Sequence, residues 1–297
     1  MAVATETLQA KTRETTSRAT TTPIDRVLNW VAYIVLTIVA LSMFIPFIFS
    51  ISTSLKSNRE AGQPLTIKGL FWPENITFDA YHKVFAADIE RWFLNSVIVA
   101  AVWVIARAIT ASMAGYAFAR MQFKGKDFLF LLVLATMMIP GMVTVVPKFL
   151  ILRQLGIINT YGALTIPFMA DAFGIFLMRQ FFQSIPVELE EAARVDGASR
   201  YRMFAQIILP NSMPALTALA IFSFQGAWNA FLEPLIFINN AKLYTLPLGL
   251  AYFRRANYTE WPTLMAIAVI TTIPMAIFYL VFQRWFVEGQ VSSGIKG

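Results

Sequence analysis

Cysteine is absent from the 297 residues and histidine occurs once, at His82. The first absence excludes disulfides, thiol catalysis and cysteine-based metal centres. The second removes histidine-rich zinc sites and a histidine base. His82 stands beside Tyr81 in a loop segment, the setting of a surface residue. No G-x-x-x-x-G-K-[ST] stretch occurs; Gly125-Lys126-Asp127 lacks the glycine-rich approach, so the chain carries no P-loop. Charge is scarce too, with 14% of residues Asp, Glu, Lys or Arg, against about a quarter in soluble domains. The net charge of +7 is scattered among loops and forms no basic stripe with interleaved aromatics, which argues against nucleic acid as a partner. No paired carboxylates or nucleophile motif falls within an apolar run, so the chain does not read as an enzyme, and it implies no cofactor or metal.

What is present is apolar. A hydrophobic fraction of 57% and a mean hydropathy of +0.61 place the chain in a lipid bilayer. Windows of about 19 residues predict six spans near 27–52, 93–118, 128–146, 161–182, 213–236 and 263–286. The segments between them are too short for a catalytic fold, so the expected class is an all-α polytopic membrane protein. Residues 1–26, with eight threonines and four cations, read as a disordered tail without a cleaved signal. A long loop at 53–92 follows the first span, a five-helix core fills 93–286, and 287–297 form a C-terminal tail. With both termini cytoplasmic, the tails and loops on that side carry 13 Lys and Arg and the other side 10, which favours this orientation by a small margin.

Between the fourth and fifth spans lies a polar stretch that is too organised for a plain connector. Ser184-Ile185-Pro186, followed by Glu188, Glu190 and Glu191, has the marks of a helix start, with Pro in the first turn and acidic groups at the positive dipole end. At 100° per residue, Leu189, Ala192, Ala193 and Asp196 share one face, and Val187, Glu190, Glu191, Arg194 and Val195 the other. Gly197 stops this helix and Ser199 can cap a second, in which Tyr201, Met203, Phe204, Ile207 and Ile208 share a face opposite Arg202 and Gln206. Pro210 ends it. By geometry alone this is either a docking element or a solvated hairpin with a Glu190–Arg194 pair worth about 0.2–0.5 kcal/mol.

The order of residues adds a resemblance. Glu191-Ala192-Ala193, then Asp196-Gly197-Ala198, Phe204, Ile207, Leu209-Pro210 and Pro214 resembles the EAA loop of bacterial ABC importer permeases. Trp72-Pro73, Thr77-Phe78 and Tyr81, Phe93-Leu94-Asn95-Ser96, Trp228-Asn229 and Leu246-Pro247-Leu248-Gly249-Leu250 look like the carbohydrate-uptake subgroup. The closing Gly294-Ile295-Lys296-Gly297 is similar to the tail of maltose-type permeases; only residues 1–26 fall outside the likeness.

The resemblance implies a type I ABC importer permease in the cytoplasmic membrane of a bacterium or archaeon. Its partners would be a second permease subunit, two ATPase subunits, an extracytoplasmic solute-binding protein and a sugar substrate. The coupling loop at 184–210, with Glu191, Ala192, Ala193, Asp196, Gly197, Ala198, Leu209 and Pro210, would dock on an ATPase subunit. Gly294, Lys296 and Gly297 of the tail would touch the ATPase pair. A glycerophosphodiester or polyol is the alternative solute within the same build, and an ATP-independent channel or secondary transporter is the alternative class.

Polar groups inside spans are candidates for a substrate path, because a charge at a helix centre costs about 2.5–3.5 kcal/mol and turns toward a cavity or partner. Arg107 and Asp171 form either a mutual ion pair or a solute or gating contact. Gln225, Trp228 and Asn229 read either as an aromatic-plus-amide sugar set or as packing with an interhelical hydrogen bond. Ala111 and Gly115 form a small-xxx-small pair suited to close helix contact. Met137 and Met138 are expected to pack.

Overall fold

The computed structural model describes residues 23–64, 66–256 and 260–294. Most of the predicted N-terminal tail, residues 1–22, and the tail residues Lys296 and Gly297 lie outside them. Among the described residues the regular structure is helical throughout. Four helices are long and apolar enough to cross a membrane, or up to six if each of two bent pairs counts as one span. The fold is therefore all-α and polytopic.

The chain divides into two compact units, 1–49 and 50–297. Among the described residues the first holds all but the last five residues of helix α1, Pro23–Ser54, with Pro46 inside it. In the second, short helices Asn58–Ala61, Ile67–Phe71 and Asp79–Phe85 lead to α2, Ile89–Arg120, a 32-residue helix about 48 Å long at 1.5 Å per residue. Then come α3 (Lys126–Met137), α4 (Gly141–Gln154), α5 (Tyr161–Thr165) and α6 (Ala172–Ser184). After the loop helices α7 (Glu188–Val195) and α8 (Arg200–Asn211) follow α9 (Met213–Trp228), α10 (Leu232–Phe237), α11 (Leu246–Ala256) and α12 (Trp261–Gly294).

Three predicted spans are broken, each at a proline. The third, expected as one run over 128–146, bends by 102° between α3 and α4. Pro140 offers no N–H and disfavours helix at Ile139 before it, so α3 stops at 12 residues, about 18 Å and short of a bilayer core. The fourth passes from α5 into a 3-10 turn, Ile166–Phe168, around Pro167, and resumes at α6 with Asp171 as its cap. The fifth stops at Trp228, because the ring of Pro234 would collide with the carbonyl four residues earlier, at Ala230. The last span runs on as helix to Gly294 instead of ending at 286. At the corner of the third, Met137 and Met138 are exposed in this chain instead of packed.

Two buried clusters organise the second unit. One gathers Trp92, Trp103, Leu164, Phe168, Trp228, Phe237 and Leu246 with their neighbours. The other, nearer the 184–212 loop, gathers Ala111, Tyr116, Met178, Phe182, Ile208 and Leu219. At the second, the predicted small pair meets α6. A Cβ on Gly115 would lie 2.8 Å from Met178 Cβ and 3.0 Å from the Arg179 nitrogen, and one on Gly174 would lie 3.2 Å from Ala111 Cβ. Side chains this small let the backbones of α2 and α6 touch.

Candidate functional site

The 184–212 loop is built as two short helices around a left-handed residue. Ile185 is extended (φ −73°, ψ 131°), as a residue before proline prefers, and it ends α6. Glu188, Glu190 and Glu191 fill the first turn of α7, where the helix dipole favours them. Gly197 takes φ +78° with no atom within 4 Å of where a Cβ would sit, so its requirement is conformational and not steric. The Ala198 N–H donates to the Ala193 carbonyl at 2.9 Å and the Gly197 N–H to Arg194 at 3.1 Å, a closed C-terminal cap of the Schellman kind. Ser199 Oγ then accepts from the Arg202 N–H at 3.3 Å, the cap expected from the sequence.

The faces differ from the wheel drawn on sequence. Glu190 and Ala193 are the buried positions of α7, while Leu189, Ala192 and Asp196 are exposed. Glu190 is paired with Arg120 of α2, Nε to Oε1 at 3.2 Å, so the proposed Glu190–Arg194 pair is corrected. In α8, Met203 and Ile208 are buried but Tyr201 is 79% exposed, and Val195 at the end of α7 is 88% exposed. Arg202 Nε donates to Gln206 Oε1 at 2.9 Å on the outer face. Pro210 does not end α8, which continues to Asn211 through a π turn at Phe204–Ile208. Proline lacks an N–H, and the widened turn passes the Leu209 N–H back to the Phe204 carbonyl. Asn211 Nδ2 and Ser212 Oγ donate to the Ile207 and Ile208 carbonyls at 2.7 and 2.6 Å.

Around the turn, Glu191, Ala192, Asp196, Gly197 and Pro210 are exposed, Ala198 and Leu209 are partly covered, and Ala193 faces inward. The result is a convex ridge, acidic on its first turn, with Val195 and Tyr201 as apolar knobs on either side of Gly197. Sequence periodicity missed both knobs, because α7 has eight residues and the regular first segment of α8, Arg200–Met203, only four, too few for it to fix a face.

The substrate-path candidates separate. Arg107 does not pair with Asp171; among the described residues no ion pair joins them. Arg107 Nε donates to the Phe168 carbonyl at 2.9 Å and its guanidinium lies 4.4 Å above the Trp103 ring. Asp171 Oδ2 accepts from the Gly174 N–H at 3.0 Å. Trp103 Nε1 and Thr110 Oγ1 donate to the Leu164 and Met169 carbonyls, both at 2.8 Å. Three side chains on one face of α2 thus satisfy the main chain that the break in span four leaves unpaired, as lipid cannot. Trp103 stacks on Phe168 with centroids 4.5 Å apart, and Lys148 lies 4.7 Å over the far side of that pair.

Trp228 is 1% exposed. Its indole N–H donates to the Thr271 carbonyl at 3.0 Å and its ring stacks on Phe224 at 5.4 Å. Of its two readings the structure carries packing. Gln225 and Asn229, one turn apart, are exposed.

The Phe93-Leu94-Asn95-Ser96 motif acts as a clamp. Asn95 Nδ2 donates to the Lys242 and Tyr244 carbonyls at 3.0 and 2.8 Å, and its Oδ1 accepts from Tyr161 at 2.6 Å. Ser96 Oγ accepts from the Leu246 N–H at 2.8 Å. Trp92 lies on Gly249, where a Cβ would come within 2.1 Å of the ring.

Comparison with known proteins places this geometry. Residues 108–290 match the family described as binding-protein-dependent transport system inner membrane component. The arabinooligosaccharides transport system permease protein AraQ of Halalkalibacterium halodurans is 35% identical over 273 residues, 91% of this chain and 98% of that protein. The sn-glycerol-3-phosphate transport system permease protein UgpE of Brucella abortus is 32% identical over 274 residues, 89% of this chain and 96% of that one. Among solved structures, a chain of a bacterial ABC transporter involved in the import of the acidic polysaccharide alginate aligns with a TM-score of 0.78 at 25% identity, covering 89% of this chain and 98% of its own.

Proposed function

This chain belongs to the family of binding-protein-dependent transport system inner membrane components, as a non-catalytic ABC importer permease subunit of the carbohydrate and polyol uptake subgroup, and from that premise we propose that the 184–212 ridge is its coupling loop. On this reading the fold is the type I importer permease, with both termini and the ridge cytoplasmic. The chain forms half of a translocation path, beside a second permease subunit, two ATPase subunits and an extracytoplasmic binding protein. Closure of the ATPases moves the docked ridge and switches the cavity between outward and inward access.

The observation that supports docking most directly is the exposure of Val195 and Tyr201 beside Glu191 and Gly197, on an element whose inner face is fixed. Apolar side chains that project from a polar ridge are anchors for a partner's pocket. Coexpression with the two ATPase subunits tests it. Glu191→Lys, or a bulky residue at Gly197, is expected to abolish transport or uncouple ATP hydrolysis while the chain still inserts; normal transport by such variants in an assembled complex would sink the reading.

The solute we propose is a sugar or oligosaccharide, as for the arabinooligosaccharide relative. A glycerophosphodiester or polyol is the second reading; two cations, Arg107 and Lys148, flanking the stacked rings at the break in span four favour the anionic phosphodiester of the two. Arabinooligosaccharides and glycerol phosphodiesters, each presented with the binding protein, separate the two by which stimulates ATP hydrolysis. Transport that persists after ATP is removed would instead point to a channel or secondary transporter.

A further inference from the structure

The last residue of α2 reaches two points on the segment that leads into the loop. Arg120 Nη2 donates to the Ile185 carbonyl, at the end of α6, and Nε faces Glu190 Oε1 at 3.2 Å. The two side chains are 9% and 8% exposed. One turn earlier, Tyr116 packs against Phe182 with centroids 6.2 Å apart and against Phe204 of α8 at 5.0 Å. The first loop helix is thus tied to α2 by a charged contact and the second by an aromatic one.

A buried ion pair is a weak source of stability, since desolvation offsets most of its Coulombic gain. What it supplies is position: at 3.2 Å the two charges hold α7 against α2, although Nε and Oε1 are not aligned for a hydrogen bond, and removing either partner leaves the other charge buried and uncompensated. The place needs such a hold. Between α6 and α7 the chain turns through extended Ile185 and Pro186, a corner about which α7 would pivot if only the backbone held it. Arg120 spans the corner, gripping its near side at the Ile185 carbonyl and its far side at Glu190.

We infer that Arg120 and Glu190 are positioning residues for coupling, which lock α7 to α2 so that displacement of the docked ridge becomes displacement of the whole of α2. The inference rests on the docking reading of the ridge. It also says where the motion goes. Thirteen residues up the same helix, about 20 Å, Arg107 holds the Phe168 carbonyl, so a shift of α2 acts directly on the break in span four. Neither residue makes the docking contact; each acts through the helix it holds.

The absence of cysteine makes a direct test possible. Met113 on α2 and Glu188 on α7 are exposed, and Met113→Cys with Glu188→Cys gives two unique spin-label sites on this chain in the full complex with its ATPase subunits. The label-to-label distance is expected to stay single and narrow in the nucleotide-free and ATP–vanadate states. A distance that shifts between those states overturns the inference, whatever the variants do. Arg120→Gln is expected to broaden the distribution roughly twofold, because the buried carboxylate loses its partner. Arg120→Gln with Glu190→Gln, an uncharged pair of similar size, is expected to narrow it again. A narrow distribution in assembled Arg120→Gln complex also overturns the inference, since a merely structural role would lower the yield and leave the distance alone. If the ATPase subunits fail to copurify with the native chain, it is the docking reading that falls.

Discussion

The two buried clusters of the 50–297 unit solve the same problem in opposite ways. In the cluster around the broken spans, Trp92, Trp103 and Trp228 each donate an indole N–H to a main-chain carbonyl, at Ala241, Leu164 and Thr271. In the cluster beside the 184–212 loop no tryptophan is buried; α2 and α6 meet there through Ala111, Gly115 and Gly174. Irregular backbone inside a bilayer must find donors on side chains, since lipid offers none. Continuous helices satisfy their own backbone and can therefore approach to contact. One end is shaped and clamped, and the other is continuous and stiff.

Widening the stiff end should break this comparison most sharply. Gly115→Leu would drive a side chain into α6, where even a Cβ comes within 2.8 Å of Met178 Cβ and 3.0 Å of the Arg179 nitrogen. Overpacking of this kind costs about 1–3 kcal/mol or more, and neither partner is a flexible tip that could swing away. The complex should lose most of its survival on heating in detergent, read by size-exclusion chromatography. A Gly115→Leu complex as stable as the native one would show that α2 and α6 do not bear on each other.

The clamped end should yield more locally. Asn95→Ala removes two donated bonds and one accepted bond from a residue that is 1% exposed. A buried group left unsatisfied costs about 1–3 kcal/mol, here felt at the Lys242 and Tyr244 carbonyls. Amide exchange should quicken over 240–246 and stay native over 188–211. Equal loosening at both ends would erase the distinction between them.

How much of this was legible in the sequence follows the same division. The helix stop at Gly197 and the Ser199 cap are local chemistry and were read correctly. Apolar runs located the membrane segments, but hydropathy does not tell the prolines that break a helix, Pro140, Pro167 and Pro234, from those that a helix carries, Pro46 and Pro274. Of the two readings of Arg107 and Asp171, ion pair or solute contact, the ion pair is not formed: each side chain bonds the main chain beside the break instead, a demand visible only once the break is known. Arg120 and Glu190 lie seventy positions apart, and no spacing rule joins them.

Trp228 sharpens the comparison at intermediate cost. Trp228→Phe keeps an aromatic ring on Phe224 but removes the donor to Thr271, a loss of about 1 kcal/mol. Transport should fall slightly with solute preference unchanged, measured by competition between solutes. A change in preference would return Trp228 to the solute path and make the clamped end chemical as well as structural.

The smallest expected effect lies at the start of α12, where Glu260 accepts from Lys83 through both carboxylate oxygens at 2.9 and 2.8 Å. The hydrogen bond from Lys83 holds the Glu260 carboxyl below its usual range, against the opposing effect of partial burial, with further bonds from Thr263 and Asn58. A carboxyl whose folded pKa is depressed contributes stability that is fully present above its unfolded value and is lost as pH falls through the folded one. The side chains are 49% and 33% exposed, so solvent screening keeps the pair below about 1 kcal/mol. The difference in melting temperature between the native complex and Lys83→Met, which cancels every other titrating group, should therefore be small at neutral pH and shrink below the ordinary carboxylate range. The buried Arg120–Glu190 pair should behave differently in salt, which screens an exposed pair but reaches a buried one far less. Raising ionic strength should erase the Lys83→Met difference and leave that of Arg120→Gln in place; if both vanish together, the ion pair beside the 184–212 loop is no better protected than one at the surface, and the contrast between the two ends loses its electrostatic half.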